Sequence, residues 1–365
     1  MGLSGEVMGA DREQRRMVDA SLLRTVVDQF VERSMHPTAD IRQFEQLALG
    51  LIDIVDAETV ARVALPLCFH PETPASIFAR LFDKGGAAAA LAFQFAPKRA
   101  QRDMIATAEQ GPAQFAAAVG RRRDLDRETM LALASRREVE VLRALAGNLA
   151  AHFDSASRRA LVLAARDDLT LARMLLDRDD LDLDPEPLFL AANRLERTAI
   201  VLNACRQILA SGATEAPLRA DGALVEKLEA AAQRHDRKEM AALLSEALEC
   251  RKDRARALVV DHLGEALALA LNAIGVPLES ATRILLCAEP GIAHDDEVVR
   301  ALLGVMRSTP QRAAARIVGA MTGAARSERE NSRRAAREDP SAPTRRRAAP
   351  QQSLARPSRK LDQSA

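Results

Sequence analysis

The residues of this chain best placed to do chemistry are Cys68, His70 and Glu72, in the stretch CFHPETP. A thiolate, an imidazole and a carboxylate at alternate positions of an extended segment would share a side. With a distant fourth ligand they could hold zinc. The competing reading is a helix terminus, where His70 sits against the free carbonyls that end the preceding helix and its positive form is favoured by the helix dipole. The pattern favours the terminus. Histidines 36, 70, 152, 235, 262 and 294 form no His-x-x-x-His or His-Glu-x-x-His pair. The run LDLDPEP at 181–187 lacks the glycine of a calcium loop and carries two prolines. Asp167-Asp168, Asp179-Asp180 and Asp295-Asp296 could hold a cation, but carboxylates before helices are read more simply as caps that accept backbone N–H bonds. Gly85-Gly86 leads into an alanine run, not a phosphate cradle. Neither a Gly-x-Ser-x-Gly turn nor a cysteine in an obviously basic, helix-N-terminal setting is present. The sequence therefore points to no catalytic, cofactor-binding or metal-binding residues, and to a protein that is not an enzyme.

What remains is charge. Arg121-Arg122-Arg123 and Arg136-Arg137 could touch phosphates, and Arg143 and Arg173 could line a face toward an acidic partner. Together with His70, Glu72 and Arg166, the residues Arg136, Arg143 and Arg173 make up a candidate interaction surface. The competing reading pairs Arg143 and Arg173 internally with Asp167, Asp168 or Glu140, and is preferred. Residues 324–365 carry eleven basic and five acidic residues, net +6, which leaves the rest of the chain with 41 basic and 46 acidic residues, net −5. In this tail Arg345, Arg346, Arg347, Arg359 and Lys360 could contact nucleic acid or anionic lipid, in a salt-sensitive way. A disordered, solubilising tail is the simpler reading. A net-acidic body without Trp or Tyr offers no stacking platform for bases.

The elements that would position these residues are helices. Apolar residues make up 48% of the chain, and burial rests on Leu, Ala, Val and Ile, with only ten Phe. Stripes at steps of three and four recur: Leu22, Leu23, Val26, Val27, Phe30 and Val31, then Ile41, Phe44, Leu47, Ala48, Leu51, Ile52 and Val55. Starts are expected at Asp56, at Thr73-Pro74 with Thr73 as cap, at Gly111-Pro112, at a capping box Ser135-Arg136-Arg137-Glu138, at Asp236 with Glu239, at Pro277 and at Thr309-Pro310. Gly275 is placed to end a helix. About eighteen to twenty short helices result, with no alternating strand pattern.

Leu131–Asn148 (LALASRREVEVLRALAGN) resembles Leu161–Arg178 (LVLAARDDLTLARMLLDR) thirty residues on. Leu131, Leu133, Ala134, Arg136, Arg143 and Leu145 match Leu161, Leu163, Ala164, Arg166, Arg173 and Leu175. A weaker copy begins near Leu188. Such a period resembles HEAT-like repeats, whose units bury their apolar faces only by stacking. The expected fold is all-α: a HEAT/armadillo-like stack of helical hairpins, or α-solenoid, over 18–212. A loose leader over 1–17 precedes it. A polar break at 211–222 separates it from a C-terminal helical segment over 222–322, either a separate bundle or a continuation. The tail 324–365 is expected to be disordered. Cys68, Cys205, Cys250 and Cys287 read as reduced, buried thiols. The start of the chain does not read as a signal peptide, and Ala266–Leu278 is too short to span a bilayer, so a cytoplasmic location is expected.

The stretches SLLRTVVDQF, IRQFEQLALGLID, ALPLCFHPETPASIFARLFDKGG, AARDDLTLARMLLDR and LDLDPEPLFLAAN are similar to an alphaproteobacterial family known as domain of unknown function 2336. LNAIGVPLESATRILLCAEPGI and STPQRAAARIV fit it as well, so the likeness covers about residues 20 to 320. The resemblance implies a HEAT-like helical protein of the bacterial cytosol, with no established activity to carry over. Three functions remain in view. One is a protein–protein scaffold or adaptor in bacterial signalling or regulation. The others are a nucleic-acid-binding helical repeat, and an enzyme or small-ligand protein on such a fold. Partner identity and oligomeric state are not legible.

Overall fold

The computed structural model describes residues 3–97, 101–211, 218–288, 291 and 294–323. Among them every regular element is helical. The first half comprises α1 (Leu3–Val31), α2 (Thr38–Ile54), α3 (Ala57–Phe69), α4 (Ala75–Lys84), α5 (Gly86–Phe95), α6 (Gln101–Gln110) and α7 (Ala113–Gly120). It continues with α8 (Arg127–Ala134), α9 (Val139–Ala146), α10 (Ser155–Ala165), α11 (Leu169–Leu176) and a 3-10 helix (Glu186–Ala191). The second half comprises α12 (Arg194–Ala210), α13 (Gly222–Gln233), α14 (Arg237–Ala247), α15 (Lys252–Val259), α16 (Glu265–Ile274), α17 (Leu278–Ala288), α18 (Asp296–Ser308) and α19 (Gln311–Thr322).

The first half is organised by alternation. The odd-numbered helices α1 to α11 touch one another in succession, and the 3-10 helix packs against α11. Even-numbered helices do the same in the pairs α2–α4, α6–α8 and α8–α10. Each helix thus buries one stripe against its hairpin partner and against its counterparts in the neighbouring hairpins. In α9 the buried positions are Val141, Leu142, Leu145 and Ala146, and in α11 they are Leu171, Ala172 and Leu175. Each wholly buried leucine is worth roughly 1.5–3 kcal/mol relative to exposure.

The second half is not periodic. It gathers around α16, in which Ala266, Leu267, Ala268, Leu269, Ala270, Leu271 and Ala273 are all buried. A helix apolar on every side has to be covered on every side, and α15, α17, α18 and α19 pack against it. Gly275 ends α16 in the left-handed conformation, with φ +82°. Phe189 of the first half shares a core with Ile200, Ala204, Leu258, Leu269 and Ile317 of the second.

Several local expectations are corrected. The backbone is helical from Leu3, where a loose leader was expected over 1–17. Charged residues such as Glu6, Glu13 and Arg15 are good helix formers, and they extend a helix already nucleated by its packed half, from Ala20 onward. Ser135 is no N-cap: its hydroxyl donates to the Leu131 carbonyl and ends α8, while Glu138 precedes α9 with its carboxylate bound to Arg136. Pro74, not Thr73, occupies the N-cap position of α4, with no side-chain cap bond, and the Thr73 hydroxyl donates to the Leu67 carbonyl. Asp56, Asp168, Asp236 and Asp295 do cap helices, through backbone N–H groups. The thirty-residue register holds for α9 and α11 but slips in α8 and α10. Ala134 is the counterpart of Ala165, and Leu133 is buried whereas Leu163 is 45% exposed. The cause is the turn, four residues long between α8 and α9 and three between α10 and α11. The tail over 324–365, including Arg345, Arg346, Arg347, Arg359 and Lys360, lies outside the described residues.

Candidate interaction surface

Several loop arginines of the first half are internal clasps. Arg122, just after α7, donates from Nη1 to the carbonyls of Phe93 and Ala96 at the end of α5, both at 2.9 Å. Its Nε and Nη2 meet the Asp124 carboxylate at 2.8 and 2.9 Å. Arg178, after α11, repeats the device two hairpins later. It donates to the Ala146, Asn148 and Ala151 carbonyls after α9, and meets Asp180 with the other edge of the fork. Between them Asn148, after α9, donates from Nδ2 to the Gly120 and Arg122 carbonyls after α7. The carbonyls that end a helix lack intrahelical donors and carry partial negative charge, so a planar cation suits them. Lys84 serves α2 likewise, reaching the carbonyls of Ile52 and Val55.

The residues expected at a contact surface fall largely into this scheme. Arg136 holds the Ala108 and Gly111 carbonyls, both at 3.0 Å, and Glu138. The hydrogen bond from Arg136 pulls the Glu138 carboxyl down to about 2. Arg143 grips Asp168, the N-cap of α11, at 2.7 and 2.9 Å, and this hydrogen-bonded cation depresses the Asp168 pKa. Arg173 grips Glu196 in the first turn of α12 at 2.7 and 2.8 Å, with the same effect on Glu196. Each of these two arginines therefore ties one helix to the start of a later one. Arg166 closes the C-terminus of α10.

Cys68, His70 and Glu72 do not converge. The Cys68 thiol lies 3.8 Å from the Leu91 carbonyl, and burial pushes its pKa up to about 12. His70 is buried, with Nε2 2.7 Å from the Arg33 carbonyl and Nδ1 3.3 Å from the Glu72 N–H. A ring nitrogen that accepts from an N–H is unprotonated, so Nε2 carries the proton and donates. The Glu72 carboxylate turns instead to His36, at 2.9 Å. His36 stacks on Phe30 at 4.4 Å, and Phe30 stacks in turn on Phe44 at 3.7 Å. The sequence reading missed His36 because it comes from the α1–α2 loop, far away in the chain. Among the described residues no three metal-ligating side chains form a group.

Arg121 and Arg123 are among the arginines that escape the clasps. They flank Arg122, are exposed, and make no ion pair or side-chain hydrogen bond among the described residues. They line a groove of about 560 Å³ together with Ala144, Gly147, Asn148, Leu149 and Ala150. Leu149 is 76% exposed. A second, smaller groove of about 360 Å³ is lined in part by Glu239, Glu246 and Glu249. On α12, Leu195, Leu202 and Leu209 stand seven residues apart and exposed, along the side opposite Ile200 and Ala204. No helix among the described residues is long and apolar enough to cross a membrane. Comparison with family models, curated proteins and solved structures finds no match to this chain.

Proposed function

We propose that this protein is a non-enzymatic protein–protein scaffold or adaptor, built as a HEAT-like α-solenoid and related to the alphaproteobacterial family its sequence resembles. The observation that carries the reading is the division of labour among its arginines. Those that reach between hairpins are bonded to carbonyls and carboxylates of the chain itself, while Arg121 and Arg123 stand unpaired on the rim of an open groove. A stack braced in this way keeps a constant frame while its outward side chains vary, which suits it to contact rather than bond-making. Affinity purification of the full chain at physiological salt, followed by mass spectrometry, tests the proposal. A reproducible, stoichiometric partner is expected. A chain that stays monomeric and recovers no partner contradicts it.

A further inference from the structure

We propose that the groove between the α7–α8 and α9–α10 loops is the docking site for an acidic peptide segment of a partner protein, one that presents carboxylates around an aliphatic side chain. The inference rests on the scaffold reading and specifies which partner chemistry that scaffold takes.

Arg122 sets the position of one side of the groove. Its guanidinium is drawn inward by the carbonyls of Phe93 and Ala96 and by Asp124, and only 6% of the side chain stays exposed. The residues on either side are left on the outside, so the clasp that fixes Arg122 also fixes where Arg121 and Arg123 start from. The other wall is pinned to the same point. Asn148 is buried and donates to the carbonyls of Gly120 and Arg122, while its Oδ1 accepts from the Ala150 N–H. Two loops from successive hairpins are thereby cross-linked beneath the groove. A ligand finds the walls in place and is spared the ordering cost of assembling them.

The lining states what fits. Two cations without internal partners call for anionic groups, and guanidinium forks match carboxylates in pairs. Leu149, exposed beside Ala144 and Ala150, offers an apolar wall that an aliphatic side chain covers. That apolar wall separates a peptide from a nucleic acid strand. A strand would need phosphate contacts at intervals and an aromatic surface for its bases, and no aromatic residue lines the groove.

Fluorescence anisotropy on the full chain at physiological ionic strength tests this, with a labelled peptide of aspartates around a central leucine. Controls are the same peptide with lysine for every aspartate, and oligothymidylate as the phosphate alternative. The wild type is expected to bind the acidic peptide saturably, and R121E/R123E to bind it at least roughly tenfold more weakly. L149D is expected to weaken it as well. The lysine peptide is expected to prefer R121E/R123E over the wild type. Thermal melts of the variants should match the wild type, because neither guanidinium has an internal partner to lose. The proposal is overturned if the acidic peptide does not bind, if R121E/R123E binds it as well as the wild type, or if oligothymidylate binds more tightly through the same two arginines. If purified partners are retained equally by R121E/R123E, this inference fails while the scaffold reading stands. If no partner is recovered with either chain, the scaffold reading itself fails.

Discussion

Arg197 and Asp261 face each other through two hydrogen bonds of 2.7 and 2.9 Å, and neither side chain is more than 3% exposed. The pair joins α12 to the turn before α16, 64 residues away. Arg197 also lies over the Phe189 ring, 4.9 Å from its centre, and donates to the Leu190 and Ala192 carbonyls. A buried pair is not by itself a large gain, but removing one partner strands the other charge. Arg197→Met is expected to cost about 3–5 kcal/mol in urea melts. The double variant R197M/D261L should recover much of that loss. A single variant within about 0.5 kcal/mol of the wild type would contradict the assignment.

The clasps of the first half make a graded prediction. Asn148→Ala leaves the Gly120 and Arg122 carbonyls without their side-chain donor and should cost about 1–3 kcal/mol. Arg178→Lys keeps the charge but loses the fork that meets three carbonyls and Asp180 at once, and should also destabilise. Chemical denaturation of both variants checks this. Equal stability of Arg178→Lys and the wild type would show that the fork does not matter.

The same pairs set the acid limb of stability. Asp168 and Glu196 titrate below their ordinary values because Arg143 and Arg173 bond to their ionised forms. A depressed carboxylate contributes stability that is fully present above its unfolded pKa and is lost as pH falls through its folded one. Melting temperature should therefore drop as pH falls below about 4. Glu265 runs the other way. Burial raises its pKa, so its contribution weakens as pH rises through the unfolded value. Arg143→Met should flatten the acid limb by returning Asp168 toward its ordinary titration. An unchanged pH–melting profile in that variant would contradict the link.

Gly275 tests the end of α16. Its φ is +82°, and a Cβ there would lie 2.1 Å from the Leu218 carbonyl oxygen, a backbone atom that cannot swing aside. Gly275→Ala should cost at least about 2 kcal/mol, from a strained conformation together with a backbone clash. The variant's denaturation midpoint checks it.

Much of this was legible in the sequence, and the parts that were not share a cause. Helical stripes, the caps at Asp56, Asp236 and Asp295, and the stop at Gly275 are local: each depends on residues within a turn or two. The capping box at 135–138 is also a local pattern, yet it fails because Arg136 takes the Glu138 carboxylate and the Leu131 carbonyl takes the Ser135 hydroxyl. The pairing of Arg143 with Asp168 was foreseeable because both partners carry charge. The roles of Arg122 and Arg178 were not, since their partners are backbone carbonyls 26 to 32 residues away, and no residue type marks a carbonyl. Arg143 and Arg173 pair internally, with Asp168 and Glu196, and the docking role proposed above falls to Arg121 and Arg123.

Arg121, Arg122 and Arg123 are adjacent and chemically identical, yet the middle one clasps the end of α5 and its neighbours are proposed to dock a partner. Measuring urea stability and partner retention side by side for R122M and for R121E/R123E tests that division most directly. R122M should lose about 1–3 kcal/mol, having left the Phe93 and Ala96 carbonyls without their guanidinium donor. R121E/R123E should unfold with the wild type and lose the partner. The opposite pattern, a stable R122M beside an unstable R121E/R123E that keeps every partner, would contradict the account.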